Sequence, residues 1–150
     1  MTPMQRRLMS RPAATVVRSR YLPQVMDVIS QLGDPDATRA SLLDAISSLA
    51  PQEAQWWQYS ASHNRFLLRL YSNDKNDYII IGALFARQIS GPTGWGKPTL
   101  ELVTAMDDEF PSQTKWHVCD ESAGFSLTCR QLYWGLNVGW NSDDESDWFR

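Results

Sequence analysis

The sequence has few of the residues that announce a mechanism. Its 150 residues hold two cysteines and two histidines. Two cysteines are too few for a disulfide framework, so Cys119 and Cys129 read as free, reduced thiols in an intracellular chain. No pair among the cysteines and histidines has zinc-ligand spacing. Asp143, Asp144, Glu145 and Asp147 lack the glycine and the alternation of a calcium loop. The sequence therefore gives no metal site and no cofactor. No apolar run reaches the roughly 18 residues of a membrane span.

Acidic residues are missing from the first 26 positions, which hold Arg6, Arg7, Arg11, Arg18 and Arg20. The rest of the chain sets nine bases against seventeen acids, a formal −8. A basic arm, residues 1–20, thus precedes an acidic body, residues 21–150, read as one domain with a loose acidic tail. The plain reading of the arm is a flexible N-terminus. Its arginines and absent acids also fit an organelle-import segment. The expected compartment is the cytoplasm, with import as the lesser alternative. With 43% hydrophobic and 21% charged residues the composition is that of a folded globule.

Leu22, Val25, Met26, Ile29 and Leu32 have helical spacing, and Gly33 suits the position after the last turn. Asp34-Pro35 restarts a helix with an N-cap carboxylate and proline at N1. Leu42, Leu43, Ile46 and Leu49 form its stripe. Pro51 ends that helix or opens a short third one carrying Trp56 and Trp57.

Near residue 64 the period changes. Phe66, Leu68 and Leu70 alternate with Arg65, Leu67, Arg69 and Tyr71, and Tyr78 to Phe85 is apolar on both faces. Between them lies a turn of Asn73, Asp74, Lys75 and Asn76. Pairing Leu70 with Ile79, Leu68 with Ile81 and Phe66 with Ala83 joins the apolar faces. Further strands are expected over 99–106, 115–119 and 125–134. Helices first and strands afterwards predict an α+β fold: two or three N-terminal helices on one face of an antiparallel sheet of about five strands.

Gly91-Pro92-Thr93-Gly94-Trp95-Gly96-Lys97 imitates a phosphate-binding loop. Pro98 stands where the Mg²⁺-binding hydroxyl belongs, and two prolines remove backbone donors. Too little chain remains for a nucleotide-binding core, so a tight connecting loop is the better reading. His117 and Cys119 share a strand face and could form a nucleophile–base dyad. No nucleophile signature surrounds Cys119, and the commoner outcome is an inert thiol. Acidic residues around Asp107 are a weaker catalytic alternative. In the expected hairpin Cys119 faces Ser126 and Cys129 faces Trp116, which puts the thiols on opposite faces.

Seven tryptophans are the most unusual count. Trp56, Trp57 and Trp116 lie in segments expected to be structured, where each could be core. Trp95, Trp134, Trp140 and Trp148 fall in or near loops and the acidic tail. With Asp143, Asp144, Glu145 and Asp147 they suggest a contact surface, because indoles bury much area with few rotors and carboxylates steer a basic partner. The residues favour binding over catalysis. The expected function is a small protein-binding module such as an inhibitor, an immunity protein or a secretion-chaperone-like partner. A Cys–His enzyme, or nucleic-acid contact through the arginine arm, are the alternatives. The acidic body argues against a broad nucleic-acid interface.

Overall fold

The computed structural model describes residues 31–61 and 64–138. It is mostly β. The strands are β1 (Glu53–Ser60), β2 (Arg65–Tyr71), β3 (Tyr78–Leu84), β4 (Gln88–Ser90), β5 (Gly94–Gly96), β6 (Glu101–Met106), β7 (Thr114–Asp120), β8 (Phe125–Cys129) and β9 (Gln131–Leu136). They form two antiparallel sheets, ordered β5-β1-β2-β3-β9 and β4-β8-β7-β6. This overturns the α+β expectation of two or three helices on a single five-stranded sheet.

One expected helix forms as read. α1 (Pro35–Leu49) starts where the Asp34 carboxylate accepts the Ala37 N–H at 3.2 Å, with proline in the first turn. It stops at Ala50 in the left-handed region, φ 49°, just before Pro51. Residues 31–33 are helical as well. Residues 21–30, the remainder of the first expected helix, lie outside the described residues.

The expected third helix is β1. Trp56 faces Leu68 and Ala54 faces Leu70 across the ladder, and a bulge at Trp57 throws that ring out of phase. Adjacent bulky aromatics suit a pleated surface better than a short helix after Pro51. The β2–β3 hairpin has the expected register: Leu70 opposite Ile79, Leu68 opposite Ile81, Phe66 opposite Ala83.

Residues 125–134 are not one strand. β8 and β9 belong to different sheets and divide at Arg130. Opposite them β3 gives way to β4. Leu84 pairs Gln131 and Gln88 pairs Thr128, so Phe85, Ala86 and Arg87 face only Cys129 and Arg130. That extra residue is a β-bulge, with Phe85 at φ 56°. Strands that switch sheets through bulges make the corners of β-sandwiches. The Arg87 N–H donates to Thr128 O at 2.8 Å and the Arg130 N–H to Leu84 O at 3.3 Å, which carries the ladder through the bend.

The main core lies between the sheets. Phe66, Leu68, Leu70, Ile79 and Ile81 meet Trp116, Val118, Phe125 and Leu127 there. α1 covers the gap between β9 and β6, with Leu42 buried in the core and Arg39 Nε donating to Leu102 O at 2.7 Å. A second cluster, Leu67, Ile80 and Tyr133, lies on the other face of the first sheet.

Candidate functional site

The phosphate-loop look-alike is a sheet edge. Gly94, Trp95 and Gly96 pair with Gln55, Ala54 and Glu53, and the Lys97 N–H donates to Gln52 O at 2.9 Å. These donors belong to the ladder, and the chain continues into β6 without a helix.

Trp95 folds back onto the core. Its ring lies 4.8 Å from Phe125, and its indole N–H donates to Asp120 Oδ2 at 2.8 Å. Asp120 is fully buried and also accepts from the Thr99 N–H and the Ser122 hydroxyl. Burial pushes this carboxyl up, and the hydrogen bonds from Thr99, Ser122, Trp95 and Ala123 outweigh it, so it sits below its ordinary range. Trp95 therefore pins the 94–99 strap.

His117 and Cys119 share one face of β7, as expected, but are not paired. The His117 Nε2 lies 3.1 Å from the Ser126 hydroxyl, while the Cys119 thiol donates to Glu101 Oε1 at 3.7 Å. Burial, and then the Glu101 carboxylate, raise the Cys119 thiol above its usual value. A raised thiol is protonated near neutral pH and is a poor nucleophile. Cys129 faces Trp116 and Cys119 faces Ser126, so the two free thiols stand on opposite faces of the sheet. Burial pushes Cys129 up to about 12. Asp107 is also structural. It is buried and held by the Arg87 guanidinium at 2.6 and 3.2 Å, with the N–H groups of Glu109 and Phe110 on its Oδ1.

Trp134 lines a concavity. A groove of about 580 Å³ runs between α1 and β9. Trp134 and Leu136 line it from the strand, and Ser41, Asp44, Ala45 and Ser48 from the helix. Asp77, from the turn before β3, stands on its rim. The alternation of β9 explains the pairing: Leu132 reaches the core, while Trp134 and Leu136 follow on the same face toward the end of the sheet. Leu136 is 50% exposed. The Trp134 N–H of the ring donates to the Ser41 hydroxyl at 3.1 Å, which fixes the indole as one wall. Among the described residues lining the groove, both charged ones are acidic and none is a lysine or arginine. The Gln31 amide clasps the Trp134 main chain, accepting its N–H at 2.7 Å and donating to its carbonyl at 2.9 Å.

Trp140, Asp143, Asp144, Glu145, Asp147 and Trp148 lie outside the described residues, as does the arginine arm. Described chain stops at Val138, two residues past Leu136. Trp116 is core, as read, and Trp56 packs edge-on against Phe66. Trp57 is exposed, with the Arg69 guanidinium 3.6 Å over its ring and the Tyr78 ring on the other contact at 4.5 Å.

Asp44, Asp77 and Leu136 escaped the sequence reading. Ser41, Asp44 and Ser48 look like the ordinary solvated side of an amphipathic helix, and Asp77 looks like a turn residue. No helix among the described residues is long and apolar enough to cross a membrane. Comparison with family models, curated proteins and solved structures finds no match.

Proposed function

We propose that the chain is a protein-binding module, in the manner of an inhibitor, immunity protein or secretion chaperone, and that it grips a partner with a basic surface. The α1–β9 groove carries this reading. It offers an indole and an exposed leucine as apolar lining, with Asp44 and Asp77 as its charged residues. Aromatic anchors inside a polar rim are the usual layout of an interface that binds through a few residues. The acidic residues 143–147 follow β9 closely in the sequence, which suits the same basic partner. Trp95 leaves the proposed surface, since its ring and N–H are engaged by Phe125 and Asp120.

The test is affinity capture from the native host with the intact chain, with Asp44→Lys/Asp77→Lys, and with Trp140→Ala/Trp148→Ala. The expected result is one basic protein, recovered roughly tenfold less by the charge-reversed variant, equivalent to about 1.4 kcal/mol. Equal recovery by all three chains removes the reading.

A further inference from the structure

The groove has a candidate occupant within the same chain. The described fold begins at Gln31, and Gln31 is hydrogen-bonded through both amide atoms to the main chain of Trp134, whose ring walls the groove. The described chain therefore starts beside Trp134, and residues 21–30 link that point to the arm. They contain five arginines and no acid. The groove has the opposite character, two carboxylates and no base among the described residues that line it. We propose that residues 1–20 occupy the α1–β9 groove in cis, their arginines complementing the Asp44 and Asp77 carboxylates.

Reach permits it. Residues 21–30 lie between the arm and Gln31, and extended chain covers about 3.3–3.6 Å per residue. A tether of that length holds the arm at an effective concentration in the millimolar range, so weak contacts suffice. Trp57, an exposed indole, is a poorer host. The Arg69 guanidinium already covers the Trp57 ring and repels further arginines. The inference rests on reading the groove as a binding surface. It adds that an outside basic partner binds by displacing the arm, so its apparent affinity is set by that competition.

Paramagnetic broadening in the full-length chain tests this directly. A nitroxide is placed at Ser10→Cys in a Cys119→Ser background, with buried Cys129 left in place. The expected result is broadening concentrated on the amides of Ser41, Ala45, Ser48 and Leu136. It should be unchanged on tenfold dilution and lost in Asp44→Arg/Asp77→Arg and in 1 M salt, where the screening length falls to about 3 Å. Retained chemical shifts for core amides show that the variant is folded. Uniform or absent broadening overturns the proposal, as does broadening centred on another face. Broadening that survives the charge reversal overturns it too. Loss on dilution assigns the groove to a second copy and overturns the cis arrangement. The binding-module reading fails separately. Without arm contact, loss of partner capture in Asp44→Lys/Asp77→Lys still upholds the module, whereas a docked arm with no partner captured upholds only the intramolecular seat.

Discussion

Gly82 and Tyr133 face each other across β3 and β9, and the phenol ring lies where a side chain on Gly82 would begin. A Cβ built on Gly82 meets the ring carbons at 2.2 and 2.5 Å. Tyr133 is 1% exposed, so its ring has little freedom to withdraw. Gly82→Ala should therefore destabilise the fold by about 1–3 kcal/mol, the usual cost of overpacking. Urea unfolding checks this: the midpoint should fall with the slope unchanged. An unshifted midpoint would mean that the ring relocates without cost.

Removing the Asp120 carboxylate should release the strap that Trp95 closes. Asp120→Ala leaves the Trp95 and Thr99 N–H groups without their acceptor. A buried donor left unpaired costs about 1–3 kcal/mol. The expected outcomes are a lower melting temperature and a red-shifted component in the tryptophan emission, which Trp95→Phe would abolish.

The Arg87–Asp107 pair gives the fold an acid-sensitive element. The hydrogen bond from Arg87 lowers the Asp107 carboxyl from 3.8 to about 2, against the opposing effect of burial. The unfolded chain then binds the proton first as pH falls. The pair's stabilisation is complete above about pH 4 and disappears as pH drops through about 2. Arg87→Gln should flatten this part of the stability–pH curve. Superimposable acid-unfolding curves for the two proteins would contradict it.

Thiol chemistry separates the two cysteines. Cys119 is half-buried and raised by burial and Glu101, while Cys129 is fully buried. Near neutral pH a disulfide reagent should modify Cys119 slowly and Cys129 only on unfolding. Glu101→Gln should speed the Cys119 reaction. Fast labelling of the unmodified chain would revive the Cys119–His117 alternative.

The β2–β3 hairpin was legible because its alternation and its polar turn agree on one register. The corner was less visible. Phe125, Leu127 and Cys129 occupy odd positions, whereas Leu132, Trp134 and Leu136 occupy even ones. That one-residue slip at Arg130 marks the crossing between sheets, and a continuous apolar run conceals it. Trp56-Trp57 misled for a related reason: adjacent indoles violate alternation, and in β1 a bulge absorbs the violation. The groove could not be read from sequence at all. Asp44 and Leu136 are 92 positions apart, and only the packing of α1 beside β9 brings them to one concavity.

The bend at Phe85 and Arg130 also shapes how the molecule comes apart. β3–β4 and β8–β9 run from one sheet into the other around one shared core, so the two sheets should melt together. The segments that meet at β3 and β9 are about fifty residues apart in the chain. Closing so long a loop is slow compared with forming the β6–β7–β8 meander. Refolding should thus be limited by the arrival of β9, and optical probes in either sheet should trace one cooperative transition.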